Sequence, residues 1–141
     1  MNPGCTPRHQ AYYEFADLVV VFEHDHRNLI NPPLDYPPFE YIPKVGPSHG
    51  LRLTLPQSTL ATPSSKFGVV VHDLLAGETK EDKVAELKTL VHDLVQMKRV
   101  GAVFITDIEI TEKDVYGNWS SIWKDFVSTV AEAREVSSLL Y

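Results

Sequence analysis

The sequence predicts an α/β protein in which parallel strands alternate with helices. Three apolar runs, at 17–23, 67–73 and 100–107, each end in polar or charged side chains. The first has five consecutive apolar residues between two acids, a pattern typical of a strand buried on both faces. Helical periodicity follows the second and third runs, so the strands are expected to pair in parallel through right-handed crossovers.

Three helices complete the predicted order. A short helix is expected over 7–16, with Thr6 as N-cap and Pro7 at its first position. A second begins at a Thr79–Asp82 capping arrangement and ends near 98–99, and a last one spans 120–137. The second helix is expected to bury Val84, Leu87, Leu90, Val91, Leu94 and Val95, and the last Ile122, Trp123, Phe126, Val127, Val130 and Ala133.

The length of 141 residues predicts a single domain over 1–141. Within it, residues 24–66 hold eight of the ten prolines and show no sustained period. We expect a long Pro-rich loop there, interrupted at most by a short piece around 51–60. Structureless loops of this length are uncommon and are often functional.

Composition argues against several classes of partner. The net charge of −6 argues against nucleic acid and anionic membranes, and no apolar run approaches the ~20 residues that span a bilayer. The single cysteine, Cys5, excludes an internal disulfide and is not expected to act as a nucleophile. No signal peptide is recognised, the localisation stays open, and no cofactor or metal is expected.

A candidate site is predicted at the carboxyl ends of the strands, where parallel α/β folds build their sites. Glu23 ends the first run, His72 and Asp73 end the second, and Thr106 and Asp107 end the third. These five side chains are expected to line one edge of the sheet.

Several of these residues also carry a resemblance to a known family. Asn2-Pro3-Gly4, Tyr13, the block 16–23, His72, the stretch 104–107 and the aromatic stretch 116–119 resemble the C-terminal half of the spherulin-4-like proteins. The resemblance implies a (β/α)8-barrel (TIM-barrel) glycoside hydrolase acting on galactosamine-containing polysaccharide, in a family that is typically secreted or on the cell surface. The chain would then hold strands six to eight of the barrel.

The resemblance also implies roles for particular residues. It makes Glu23 one of the two carboxyl groups that glycoside hydrolysis needs. Asn2, His72, Asp107 and Trp119 are expected to bind substrate. The family's other acids, an Asp-Glu pair, precede the Asn-Pro-Gly, so the chain is expected to be truncated and to have little or no hydrolase activity alone.

Structural interpretations stand beside these roles. A strand-end Glu can cap a helix or pair with a Lys, a strand-end His can bond a neighbouring loop, and Thr-Asp often opens a turn or cap. Trp119 can be a packing staple, and Trp123 is expected to be core. Among the cations, Lys80, Lys83 and Lys88 are interpreted as a solvated helix face.

Two alternative functions remain open. Glu23-His24-Asp25-His26 places alternate histidines past a strand end, which would suit a metal-dependent hydrolase with Asp73 or Asp107 as a further ligand. The other alternative is a non-catalytic carbohydrate-binding or cell-surface protein fragment. In that case an exposed strand edge would favour self-association or another partner.

Overall fold

The computed structural model describes residues 14–30, 64–77, 79–109 and 118–138. Its strands are β1 (Val19–Asp25), β2 (Phe67–His72) and β3 (Ala102–Ile105), and its helices are α1 (His26–Ile30), α2 (Lys80–Val91) and α3 (Trp123–Ser138). A 3-10 turn, Ser64–Lys66, precedes β2, and a π-helical segment, His92–Met97, continues α2.

The three strands form one parallel sheet in the order β1-β2-β3, which confirms the predicted α/β class and parallel pairing. The backbone N–H of Thr106 donates to the Val71 carbonyl at 2.9 Å, so the ladder between β2 and β3 continues past the end of β3. The two polar loop starts after these strands are therefore held side by side.

Several predicted boundaries are wrong. β1 continues through His24 and Asp25, so Glu23 is not its last residue, and α1 occupies the start of the predicted 24–66 loop. The 3-10 turn occupies the end of that loop, and residues 31–63 lie outside the described part of the chain. Most of the helix expected over 7–16 also lies outside it, although residues 14 and 15 are helical.

One face of the sheet is covered by the helices. We call it the helix-covered face; its residues Val19, Phe22, Phe67, Val69, Val71 and Ile105 are at most 3% exposed. The α2 stripe packs there as predicted, with Leu87, Leu90, Val91, Leu94 and Val95 buried and Val84 partly buried. On the other face, Val20 and Val70 are only half-buried.

The α3 stripe is shifted from its prediction at one position. Ile122, Phe126 and Ala133 are buried, but Val127 is 49% exposed and the polar Thr129 takes a buried place at 8% exposure. The buried positions follow spacings of four, three and four, which leaves Val127 about 100° round the helix from Phe126.

The start of α2 follows the predicted capping arrangement. The Asp82 backbone N–H donates to Thr79 Oγ1 at 3.1 Å, and the Thr79 hydroxyl donates to Asp82 Oδ2 at 2.7 Å. A capping box of this kind satisfies backbone donors that the first helical turn leaves without partners. It fixes where α2 begins relative to the end of β2.

The register between β1 and β2 slips by one residue at Val21. Val20 pairs with Gly68, but Phe22 pairs with Val69, so Val21 is an extra residue of the β-bulge type. Val21 and Phe22 are both buried, at 2% and 3% exposure. Beyond the slip, Glu23 pairs with Val70 and Asp25 with His72.

Among the described residues, no helix has the length and apolar character needed to cross a membrane.

Gly101 allows a test of how closely the start of β3 packs against the backbone of Ser65. A Cβ at this position would clash with the backbone oxygen of Ser65, whereas one at Gly68 would meet Val20 Cγ2 at 3.4 Å. We expect Gly101→Ala to lower the free energy of unfolding by ~2 kcal/mol or more, because two backbone segments must move apart. Gly68→Ala, the matched control, should cost less than ~1 kcal/mol. Urea denaturation measures both, and equal losses would contradict the observed seating.

Candidate active site

Glu23, Asp25 and His72 share one face of the sheet, which we call the acidic face. Glu23 pairs with Val70 and Asp25 pairs with His72, and partnered residues of parallel strands direct their side chains to the same side. Since side chains alternate along a strand, Val70 and His72 also share that side. The three ionisable groups therefore lie together, opposite the helix-covered face.

His72 is the buried member of this group, with 2% of the residue exposed. Burial lowers the pKa of its imidazole, the nearby Glu23 carboxylate raises it in part, and His24 and Asp25 add smaller opposing effects. The sheet register puts Glu23 on the neighbouring strand, level with Val70 two residues before His72. The result is a neutral imidazole beside a carboxylate at neutral pH, able to donate or accept a hydrogen bond.

Asp107 lies at the end of β3 and is held by four donors. Its Oδ1 accepts from Ser120 Oγ at 2.7 Å and from the Ser121 backbone N–H at 3.1 Å. Its Oδ2 accepts from Lys83 Nζ at 2.9 Å and from Ser121 Oγ. We call these four residues the Asp107 clamp, because they join β3 to α2 and to the start of α3.

The clamp keeps Asp107 ionised. Burial alone would raise its pKa, but the hydrogen bonds from Ser121, Lys83 and Ser120 outweigh burial and lower the pKa to about 2. The side chain is 7% exposed. These contacts favour the turn-or-cap interpretation of the Thr-Asp pair, while the predicted contact of substrate with Asp107 stays a prediction.

The sheet register does not bring Asp107 to Glu23. Glu23 is level with Val70, which is level with Phe104, and Asp107 lies three residues beyond Phe104. Two strand spacings and three residue rises put their backbones roughly 14 Å apart. The odd offset and the contacts with Lys83 and Ser121 also direct Asp107 to the helices, away from the acidic face.

Thr106 and Asp73 shape the loops after β3 and β2. Thr106 is 1% exposed, and its Oγ1 accepts from the Ile108 N–H at 3.2 Å. Asp73 has a φ of 47°, and its N–H donates to the Ile108 carbonyl at 3.0 Å. The left-handed backbone at Asp73 is one that Asp tolerates better than most residues. It turns the chain so that the two loops bond to each other.

His24 and His26 fall in different elements, because His24 lies in β1 and His26 begins α1. His24 Nδ1 lies 2.6 Å from Asn28 Nδ2 and accepts from the Asp25 N–H at 2.8 Å. His26 begins α1 instead of continuing the strand, and it is buried at 2% exposure. Within the described segments, no three His, Cys, Asp or Glu side chains gather as a metal site would require, so the metal alternative gains no support.

His26 links three elements. Its Nδ1 accepts from the Leu75 N–H at 3.1 Å, and its Nε2 lies 3.5 Å from Glu86 Oε1 of α2. Because Nδ1 accepts, the proton of the neutral ring is on Nε2, where it faces Glu86. The ring therefore ties α1 to the loop after β2.

Trp119 is 82% exposed and lies next to the clamp residue Ser120. Its ring meets that of Trp123 edge-on, with centroids 5.7 Å apart. Trp123 packs partly against the core, as predicted, and also contacts Phe104 at the edge strand. The contact with Trp123 thus leaves most of the Trp119 indole in solvent.

Sequence reasoning missed four residues of this region. Lys83 was interpreted as part of a solvated face, yet its ammonium binds Asp107; Ser120, Ser121 and Glu86 were not singled out. The two serines before a helix are a recognisable capping signal that could have been read. The predicted site residue Asn2, together with Tyr116 and Cys5, lies outside the described residues.

The family is settled by comparison with known families. The model of the spherulation-specific family 4 (Spherulin4) matches residues 1–130. The chain belongs to the Spherulin4 family. A comparison with curated proteins and one with solved structures found no significant match. The match includes β1, β2, β3 and the first half of α3, so the acidic face and the Asp107 clamp are both parts of the Spherulin4 region.

The burial of His26 predicts that the stability of this Spherulin4 chain depends on pH. Burial lowers the pKa of His26 from 6.5, and Glu86 offsets this only in part. Because the pKa is lower in the folded state, the unfolded chain binds more protons than the folded chain when the pH falls below 6.5. The contribution of His26 to the free energy of unfolding is therefore complete above pH 6.5 and is lost as the pH falls below it. We expect His26→Asn, which can still accept from the Leu75 N–H, to reduce the loss of stability between about pH 7.5 and about pH 5.5.

Urea denaturation at the two pH values measures this difference, and comparing each variant with itself removes any packing cost. His72 has the same direction of shift, so some pH dependence should remain in His26→Asn. The control is His92→Asn, at an exposed site on the π-helical segment, which should leave the pH dependence unchanged. A pH dependence in His26→Asn equal to that of the unaltered chain would contradict the assignment.

Proposed function

We propose that the chain forms part of a glycoside-hydrolase site for galactosamine-containing polysaccharide, with Glu23 as a catalytic carboxylate. The observation that carries this proposal is the position of Glu23 beside buried His72 on the acidic face. The activity itself is the one that the resemblance implies. In this role Glu23 acts on the scissile glycosidic bond, and the neutral His72 imidazole holds a substrate hydroxyl or the Glu23 carboxylate.

The second carboxylate of the pair comes from elsewhere. Glycosidase carboxyl groups stand about 5 to 9.5 Å apart. The backbones of Asp107 and Glu23 are roughly 14 Å apart, and the Asp107 side chain faces the helices. Asp25 shares the acidic face but bonds Asn28 through both carboxylate oxygens. We therefore propose that the partner acid is supplied from outside this chain, as the resemblance implies for the Asp-Glu pair, and that the chain alone is inactive on polymer.

The proposal extends to the fold. Parallel strands in sequential order, helices on one face and a half-buried second face are what three neighbouring strands of a (β/α)8 barrel would present. In that arrangement the acidic face would look into the barrel. Glu23 and His72 would then lie towards the carboxyl ends of the strands, where such barrels carry their sites.

A non-catalytic carbohydrate-binding role is the second candidate, and Trp119 favours it. A flat indole that is 82% exposed suits the apolar face of a pyranose ring. This role needs no acid pair. It agrees with the catalytic proposal in placing a sugar at the carboxyl end of the sheet, and it differs in requiring no turnover.

The two candidates are separated by assays of the purified chain. We expect no release of reducing ends from galactosamine polymer, because the acid pair is incomplete. We assign Glu23 the nucleophile or base role, in which its carboxylate, or a water that it deprotonates, bonds to the anomeric carbon as the glycosidic bond breaks. The nitrophenolate of an aryl galactosaminide leaves without help from a general acid, so slow Glu23-dependent release of nitrophenol is expected. Glu23→Gln should abolish it, while Asp125→Asn, a control acid on α3, should not.

Robust polymer hydrolysis that Glu23→Gln abolishes would show that the pair is complete in this chain. Equal nitrophenol release by the unaltered chain and Glu23→Gln would remove Glu23 from the reaction and leave the binding role.

A further inference from the structure

The chain just before α3 is fixed at two consecutive residues. Ser120 donates its hydroxyl to Asp107 at 2.7 Å, and Ser121 donates both its backbone N–H and its hydroxyl to the same carboxylate. Trp119 precedes them directly. The backbone that carries the exposed indole is therefore anchored to the end of β3.

The Asp107 carboxylate has no unused acceptor position. A carboxylate offers about four acceptor positions, and Asp107 receives two donors on each oxygen. Its side chain is 7% exposed. A sugar hydroxyl could reach Asp107 only by displacing Lys83 or one of the serines, so direct substrate contact is disfavoured.

Lys83 fixes the carboxylate from the helix side. Its ammonium lies 2.9 Å from Oδ2 and is 31% exposed, which makes this a charge-assisted and partly buried contact. One turn away, Lys80 forms a similar pair with Asp125 at 3.2 Å, at 59% exposure. The first pair holds the clamp, and the second joins α2 to α3 away from Asp107.

We propose that Asp107 is a positioning residue that holds Trp119 as a rigid platform for a pyranose ring. This inference rests on the proposed function, since it assigns the sugar contact to Trp119 and reassigns Asp107 from ligand to support. The edge-on contact with Trp123 fixes one side of the indole, and the clamp fixes its backbone.

Rigidity is what the clamp contributes to binding. A side chain and loop that are ordered before the ligand arrives do not pay the entropy of ordering on binding. Loosening the clamp should therefore weaken binding without removing any atom that touches the sugar. The loss should be smaller than the loss from deleting the indole itself.

Two lysines of one helix turn provide the experiment. Lys83→Met removes the ammonium from the clamp, Lys83→Arg restores a charged donor, and Lys80→Met is the matched control.

Binding of a soluble galactosamine oligosaccharide is measured by NMR titration. The mobility of the Trp119 indole N–H is measured by nitrogen-15 relaxation, with Trp119→Phe identifying its signal. The chain has two tryptophans, so the assignment is unambiguous.

We expect Trp119→Ala to abolish detectable binding and Lys83→Met to weaken it about three- to tenfold while the Trp119 indole becomes more mobile. Lys83→Arg should recover most of the affinity, and Lys80→Met should match the unaltered chain in both readouts.

Each contrary outcome has its own meaning. Unchanged binding in Trp119→Ala would refute the sugar contact in the proposed function. If Trp119→Ala loses binding but Lys83→Met behaves like Lys80→Met, the sugar contact stands and the positioning role of the clamp is refuted. Weaker binding in Lys83→Met with an unchanged Trp119 indole would assign Lys83 to the ligand and also refute positioning.

Discussion

A one-residue slip at Val21 decides which side of the sheet carries the acid Glu23. With Val21 as an extra residue, Phe22 pairs with Val69 and is buried under the helices, and Glu23 pairs with Val70. Without the slip, the side-chain period of two would place Glu23 among the apolar residues of the helix-covered face. Bulges often re-aim side chains next to functional sites, and here the slip brings a carboxylate to the face that holds His72.

The same alternation separates two carboxylates that the sequence places at equivalent strand ends. Glu23 lies on the acidic face, half-buried, whereas Asp107 turns to the helices and is satisfied by Lys83 and the two serines before α3. The first arrangement leaves a carboxylate beside a neutral imidazole, which suits chemistry on a ligand. In the second arrangement, all acceptor positions of the Asp107 carboxylate are used to join β3 to α2 and to the start of α3. In our proposals, Glu23 therefore belongs to the site and Asp107 to its support.

Much of this fold could be predicted from the sequence, but less of the candidate site could be. Apolar runs predicted the strands, and the Thr79–Asp82 cap and the α2 stripe were correct because local spacing determines them. The slip at Val21 was not predictable, since five consecutive apolar residues carry no period that marks the extra one. His26 and Lys83 were misjudged because their partners, Leu75 and Asp107, are distant in sequence and adjacent only in the folded sheet.

The most direct test of this account is the titration of the His72 imidazole by NMR. If the slip at Val21 places Glu23 on the acidic face, Glu23→Gln removes a negative charge near the ring and lowers the pKa of His72 further below its ordinary value. Asp107→Asn, on the other side of the sheet, should leave that pKa unchanged. An unchanged His72 pKa in Glu23→Gln, or a pKa that responds to Asp107→Asn instead, would contradict the arrangement.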